Sequence, residues 1–135
     1  MGPGYGCMND LVVIQTSQGL EAMITATVKN ARKRGIVIGY DARHNSHRFA
    51  HLVAKVFLLQ GYNVHLFSAT VGTPFVPFAI THYGHATGVM VTASHNPKQY
   101  NGYKVYYETG CQIIPPVDSQ IATAILNNLT PNPAV

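Results

Sequence analysis

Charged residues are scarce in this sequence of 135 residues. Only 10% of the residues are Asp, Glu, Lys or Arg, whereas 47% are hydrophobic. This composition argues against an intrinsically disordered chain, and the length is sufficient for one domain with a buried core. The low charge also predicts that a partner covers part of the apolar surface.

Long apolar runs are absent as well. No stretch approaches the roughly 20 residues that a membrane-spanning helix needs, which argues against a membrane protein. The first residues lack a basic segment followed by an apolar one, so we expect no secretion signal. The two cysteines, Cys7 and Cys111, are far apart and form no CxxC pattern. Together these features predict reduced thiols in a cytoplasmic protein.

Acidic residues are fewer than basic ones. Nine Lys and Arg residues stand against five Asp and Glu residues, which gives a formal net charge of +4. This excess favours anionic ligands such as phosphorylated sugars. Nucleic acid is not predicted as a partner, because the basic residues are scattered except in Arg32-Lys33-Arg34. That cluster closes a predicted helix, where cations complement the helix dipole.

Helical and extended patterns alternate along the chain. Asn9 or Asp10 can cap a first helix that runs to about Arg34 before Gly35, and Gly19 marks either a break in this helix or a close backbone contact. Further helices are predicted from Ser46 to Gly61, from Pro74 to about Tyr83 and from Asp118 to about Leu129. Strands are predicted at residues 36–40, 63–67, 88–91 and 102–108.

The order of these elements predicts an α/β fold. Helices separate the first three strands, which favours right-handed parallel crossovers. Segment 102–108 follows the third strand too closely for a helical crossover, so we expect it to be antiparallel. The prediction is a four-stranded mixed sheet between helices, with three parallel strands and one antiparallel edge strand. We place the domain at residues 1–130 and an exit linker at residues 131–135.

A hydroxyl, an imidazole and a carboxamide follow the third predicted strand, in Thr92-Ala93-Ser94-His95-Asn96-Pro97. Ligands of open α/β sheets bind beyond the carboxyl ends of the strands. Turn chemistry is the alternative, because Asn before Pro initiates turns and Asn101-Gly102 is a common hairpin dipeptide. If Ser94 carries a phosphoryl group, it needs cations around it, and Lys98 and Lys104 are the nearest candidates in sequence.

The segment Thr92 to Pro97, with Asn101-Gly102-Tyr103-Lys104 behind it, resembles the phosphoserine loop of the α-D-phosphohexomutases, the phosphoglucomutase and phosphomannomutase superfamily. Gly39-Tyr40-Asp41-Ala42-Arg43 and Thr73-Pro74-Phe75-Val76-Pro77-Phe78 also resemble family segments. The chain is most similar to the branch that includes phosphopentomutase and glucose-1,6-bisphosphate synthase. Three segments carry this similarity: Met1-Gly2-Pro3-Gly4, Met8-Asn9-Asp10-Leu11 and Ser94-His95-Asn96-Pro97-Lys98-Gln99. The likeness covers the whole chain and implies the first domain of the family, which has the same mixed sheet.

The resemblance implies a mutase that moves a phosphoryl group between the C1 and the C6 or C5 hydroxyl of a sugar phosphate, through a phosphoserine and a bisphosphorylated sugar. Ser94 matches the phosphoserine, His95 the histidine that orients substrate or phosphate, and Lys104 the general acid/base. The implied cofactor is Mg²⁺, with Ser94 as one ligand through its phosphate. The implied partners are the remaining mutase domains and sugar phosphates of the glucose 1-phosphate, glucose 1,6-bisphosphate and ribose 1-phosphate class.

Three further residues near the loop are expected to contact substrate or phosphate: Asn96, Lys98 and Arg43. Two of these residues have alternatives. Lys98 is equally consistent with a solvated side chain. Arg43 follows the carboxyl end of a predicted strand, where phosphates bind. An ion pair with Asp41 or another local carboxylate is the alternative role for this arginine.

A zinc site is the alternative for the histidines that follow the first strand. His47 and His51 lie four residues apart on a predicted helix, a spacing that can bind zinc. No glutamate lies between them and no third acidic ligand is apparent nearby, so we do not expect a metal here. Arg48, between them, is predicted to be structural.

The sequence departs from the family pattern outside the loop. It lacks the acidic Asp-Gly-Asp-type metal loop, the Gly-Glu-rich sugar loop, the C-terminal phosphate loop and the short Gly-Thr-(Ser/Ala)-Gly-Leu-Arg segment. We therefore expect a phosphoserine domain alone, which is inactive as a mutase without its neighbours. The alternative is a non-catalytic module that binds a phosphosugar or a protein.

Overall fold

A computed structural model describes residues 1–135. The strands are β1 (Ile36–Tyr40), β2 (Val64–Leu66), β3 (Thr87–Val91) and β4 (Tyr103–Tyr107). The helices are α1 (Asp10–Thr27), α2 (Ala31–Arg34), α3 (Ser46–Leu59), α4 (Phe75–Tyr83) and α5 (Val117–Leu126). None of these helices combines the length and the apolar character needed to cross a membrane.

The four strands form one sheet in the order β2-β1-β3-β4. Strand β1 is parallel to both β2 and β3, and β4 is antiparallel to β3. The predicted α/β class and the mixed sheet with one antiparallel edge strand are confirmed. Because β1 and β3 are parallel neighbours with Tyr40 opposite Val91, their carboxyl ends meet at one edge of the sheet.

Side chains of the strands alternate between two faces, as the pleat of a strand requires. Ile36 and Ile38 of β1 pack into the larger core, which α1 and α3 cover. Val37 and Met90 point to the opposite face and pack against α4. The sheet is therefore buried on both faces, which explains why β1 and β3 read as continuous apolar runs.

The prediction of one continuous helix from Asn9 or Asp10 to about Arg34 was wrong near its end, where residues 28–30 are not helical. The start is confirmed, since the Asn9 side chain accepts a hydrogen bond from the Val12 amide. Helix α1 ends at Thr27, Val28 is extended and buried, and Asn30 is left-handed before α2 begins. The extended backbone lets Val28 reach the core, and the weak helical preference of Thr27, Val28 and Asn30 opposes this little.

Gly19 marks a close backbone contact and does not break α1. A Cβ atom at this position would lie 2.5 Å from the backbone N and Cα atoms of Ile125 in α5. Only glycine allows the two helices to approach this closely. Of the two interpretations of Gly19 from the sequence, the close backbone contact is therefore correct.

The C-terminal helix is shorter than predicted, because α5 ends at Leu126. The Gln18 side chain binds the chain beyond it, donating to the carbonyl oxygens of Asn128 and Thr130 and accepting from the Asn132 amide at 2.8 Å. These bonds draw the chain onto α1. The role of residues 131–135 as an exit linker stays a prediction.

Candidate active site

The candidate loop, residues 92–101, lies at the edge where the carboxyl ends of β1 and β3 meet. The Asp41 amide donates to Val91 O at 3.3 Å, and the Thr92 amide donates to Gly102 O at 3.1 Å. A Cβ atom on Gly102 would lie 2.7 Å from Thr92 O. Glycine is required here because the returning chain passes directly against the backbone that leaves β3.

Ser94 and Lys104 are brought together where the chain turns back from β3 into β4. Ser94 is exposed, and its backbone is left-handed with a φ of 55°. The Lys104 Nζ atom, from the half-buried side chain at the start of β4, donates to Ser94 Oγ at 2.8 Å. The two residues are ten apart in sequence, and the antiparallel pairing of β3 and β4 creates the contact. The arrangement is an accessible hydroxyl with a cation beside its oxygen.

The other predicted loop residues lie within four positions of Ser94 in the sequence. His95 and Lys98 are exposed, whereas Asn96 is half-buried. The Asn96 side chain donates to Ala93 O at 2.9 Å, so its amide nitrogen serves the turn. The two exposed side chains present an imidazole and an ammonium group to solvent.

Arg43 contacts the backbone of the loop as well as Asp41. Its Nε atom donates to Asp41 Oδ2 at 2.8 Å, and its Nη1 atom donates to the carbonyl oxygens of Asn96 and Pro97, each at 2.7 Å. A further bond joins Nη2 to Ser94 O. The side chain is only 11% exposed. The ion pair considered from sequence is present, and the same guanidinium also holds the loop.

Sequence reasoning missed a polar cluster beneath the loop. Left-handed Asn45 occupies the N-cap position of α3, and Ser46, where the helix was predicted to begin, donates from Oγ to Asp41 Oδ1 at 2.7 Å. Thr92 Oγ1 donates to Asp41 Oδ2 at 2.6 Å. Burial acts to raise the pKa of Asp41, but hydrogen bonds from Thr92, Ser46 and Arg43 outweigh it and hold the pKa below its ordinary value. Asp41 is therefore ionised at neutral pH. The available signal was that Asp41 and Thr92 each follow a buried strand.

The histidines of α3 do not gather a metal ligand set. His51 Nδ1 bonds the carbonyl oxygen of His47 at 2.9 Å, and no group of three or more His, Cys, Asp or Glu side chains lies close enough to bind a metal. Arg48 pairs with Asp10 on the surface, as expected for a structural residue. Cys7 and Cys111 are free thiols.

Comparison with known proteins decides the family. The sequence model of a protein family, described as phosphoglucomutase/phosphomannomutase, alpha/beta/alpha domain I, matches residues 3–131. The chain belongs to the phosphoglucomutase/phosphomannomutase family. The crystal structure of a protein assigned as a phosphomannomutase from Thermus thermophilus is similar to 95% of this chain with a TM-score of 0.79 and 28% sequence identity, and the match covers 28% of that protein.

Curated relatives within the phosphoglucomutase/phosphomannomutase family are more similar in sequence. The "Probable phosphoribomutase" of Schizosaccharomyces pombe is 54% identical over 97% of this chain, and the phosphopentomutase of Homo sapiens is 50% identical over 98%. The match covers 22% and 23% of these two proteins. This chain thus spans about a fifth of the length of the curated relatives it matches and corresponds to domain I of the family.

Proposed function

We propose that this chain is the phosphoryl-carrying domain of a phosphosugar mutase of the phosphoglucomutase/phosphopentomutase type, with Ser94 as the carrier. The observation that supports it is the exposed Ser94 Oγ, 2.8 Å from Lys104 Nζ, at the carboxyl ends of parallel strands. A serine hydroxyl that only formed a turn would need neither an adjacent cation nor a place at this edge of the sheet.

The proposed reaction exchanges one phosphate ester for another. The bond between phosphorus and Ser94 Oγ breaks, and a bond between phosphorus and a hydroxyl oxygen of the sugar phosphate forms. Lys104 donates a proton to Ser94 Oγ as the phosphoryl group leaves. The attacking sugar hydroxyl releases its proton to solvent, and Lys104 regains a proton from solvent, so the protons balance. Catalysis of phosphoryl transfer is mostly positioning and charge stabilisation, which is what an ammonium group held at the bridging oxygen supplies.

The substrates we propose are phosphates of pentoses and hexoses, such as ribose 1-phosphate, glucose 1-phosphate and glucose 1,6-bisphosphate. The names of the relatives support this class, since phosphoribomutase, phosphopentomutase and a glucose 1,6-bisphosphate synthase of Mus musculus, 46% identical over 93% of this chain, are among them. His95 and Lys98, exposed beside Ser94, are proposed to contact phosphate oxygens, and Asn96 to shape the turn. The remaining domains of the mutase are proposed as partners that complete the sugar site.

Magnesium is proposed as the cofactor, because the family implies it and phosphoryl oxygens are hard ligands. The residues of this chain fit one coordination position, a phosphate oxygen on Ser94, because Asp41 is engaged by its own hydrogen bonds and no carboxylates cluster at the loop. When bound, the ion would neutralise charge on the transferring group. Its other ligands are proposed to come from the remaining domains.

Intact-mass spectrometry after incubation with glucose 1,6-bisphosphate and Mg²⁺ tests the proposal. One phosphoryl adduct is expected on the wild-type chain and on Ser119→Ala, a control at an exposed serine in α5. No adduct is expected on Ser94→Ala. Isomerisation of glucose 1-phosphate by the chain alone should be undetectable, because several positioned groups are needed and the chain spans about a fifth of its relatives.

A non-catalytic phosphosugar-binding module would give a different result. It would bind glucose 1,6-bisphosphate, as measured by calorimetry, without acquiring the adduct. An adduct that persisted in Ser94→Ala would also contradict the proposal, because the phosphoryl group would then be carried elsewhere.

A further inference from the structure

Ser94 has a backbone conformation that residues with a Cβ atom rarely adopt. Its φ of 55° lies in the left-handed region, which costs free energy for any residue other than glycine. Such a conformation persists where surrounding groups hold it, and it is often found at functional sites. The groups that bond the Ser94 backbone are therefore candidates for aiming its hydroxyl.

Two side chains bond the Ser94 backbone, one on each side. The Ser94 amide donates to Thr92 Oγ1 at 3.1 Å, and the Ser94 carbonyl accepts from Arg43 Nη2. Arg43 also binds the carbonyl oxygens of Asn96 and Pro97. The planar guanidinium donates to several carbonyl oxygens at once in a fixed geometry, which the ammonium group of a lysine cannot reproduce. Arg43 is thus directed at the loop itself.

One carboxylate orients both of these side chains. Asp41 Oδ2 accepts from Thr92 Oγ1 at 2.6 Å and from Arg43 Nε at 2.8 Å. A carboxylate only accepts, so the single hydroxyl hydrogen of Thr92 goes to Asp41 and an oxygen lone pair is left for the Ser94 amide. Thr92 is 4% exposed, which keeps water from replacing the carboxylate as its partner. Asp41 therefore sets the direction of the bonds on either side of Ser94.

We propose that Asp41, Arg43 and Thr92 are positioning residues that hold Ser94 in its left-handed conformation and so aim its hydroxyl at the reacting phosphoryl group. The proposal rests on the function proposed for Ser94. It assigns Arg43 to the loop backbone, in place of the direct contact with phosphate that its position in the sequence suggests. Asp41 has no contact with the hydroxyl and acts through Arg43 and Thr92.

Four variants of this chain test the proposal. Arg43→Lys keeps the positive charge and loses the fork, and Thr92→Val keeps the shape and loses the hydroxyl. Thr92→Ser restores the hydroxyl. Arg48→Lys repeats the arginine substitution at an exposed ion pair outside the loop and is the matched control. Two readouts apply to each variant: the rate of Ser94 phosphorylation as a function of glucose 1,6-bisphosphate concentration, and the NMR backbone chemical shifts and amide exchange of Ser94.

If Arg43 and Thr92 position Ser94, Arg43→Lys and Thr92→Val should lower the maximal rate of phosphorylation roughly 10- to 100-fold. The half-saturating donor concentration should not change. Thr92→Ser and Arg48→Lys should stay near the wild type. An Arg43→Lys variant with an unchanged maximal rate and a higher half-saturating concentration would overturn the proposal, because Arg43 would then bind the donor.

The NMR readout is independent of phosphorylation. The Ser94 carbon shifts should lose their left-handed signature in Arg43→Lys and Thr92→Val, and the Ser94 amide should exchange faster in Thr92→Val. Unchanged shifts and exchange in both variants would overturn the positioning role. If the wild-type chain acquires no phosphoryl group, the proposed function fails, while the shifts still decide whether these residues hold Ser94.

Discussion

Replacing Lys104 with methionine should slow phosphoryl transfer at Ser94 without unfolding the domain. The ammonium nitrogen lies 2.8 Å from Ser94 Oγ, the oxygen that gains negative charge in the proposed reaction when the phosphoryl group departs. Two unit charges at this distance attract each other by roughly 6 kcal/mol at an effective dielectric constant of about 20, which is an upper bound. Removing one donor from an oxyanion site typically costs about 2.7–4 kcal/mol. Because Ser94 is exposed to water, we expect the lower end of that range, a loss of about 100-fold.

The effect on folding should be much smaller. Methionine preserves the aliphatic stem of Lys104, and a hydrogen bond to an exposed hydroxyl contributes only about 0.5–1.5 kcal/mol to the free energy of unfolding. Lys55→Met, an exposed lysine on α3, is the matched control for loss of one positive charge. It should leave both the transfer rate and the denaturation midpoint near those of the wild type.

The assay is the time course of the Ser94 adduct by intact-mass spectrometry, with urea denaturation followed by circular dichroism. A Lys104→Met chain that is phosphorylated at the wild-type rate would refute the reasoning, because the ammonium would then contribute nothing at the oxygen it contacts. A rate that fell equally in Lys55→Met would refute it too, since net charge rather than position would be responsible.

Three further predictions concern the fold and its pH dependence. Gly19→Ala places a Cβ atom 2.5 Å from the Ile125 backbone and should lower the free energy of unfolding by about 1–3 kcal/mol in urea denaturation, whereas Gly6→Ala, with nothing within 4 Å, should change it little. Burial holds the pKa of His85 below its ordinary value of 6.5, despite its bond to Arg34 O, so the free energy of unfolding should fall as pH drops below about 6.5. The melting temperature of His85→Gln should decline less over this pH range. The pKa of Asp41 is held below its ordinary value, so its contribution should be present above about pH 4 and lost on acidification, and acid titrations of Asp41→Asn should lack this loss.

Much of the architecture was predictable because it depends on local patterns. The apolar runs of β1 and β3 reflect burial on both faces, and the short link between β3 and β4 excludes a crossover helix. The Ser94 loop was predictable for the same reason, since its residues are contiguous and follow a recognisable strand. The end of α1 was not predictable, because Val28 leaves the helix to reach a core that other parts of the chain build.

The sequence by itself determined the alternation of strands and helices along the chain, the position of the serine loop and the chain's membership of a mutase family. Only the tertiary structure decided which groups hold that loop. Asp41 and Thr92 are 51 residues apart and bond because β1 and β3 are parallel neighbours in register. Arg43 faces the loop carbonyls for the same reason. Directed hydrogen bonds between distant residues depend on the register of the strands that carry them, and that register is fixed when segments far apart in the sequence pair and pack.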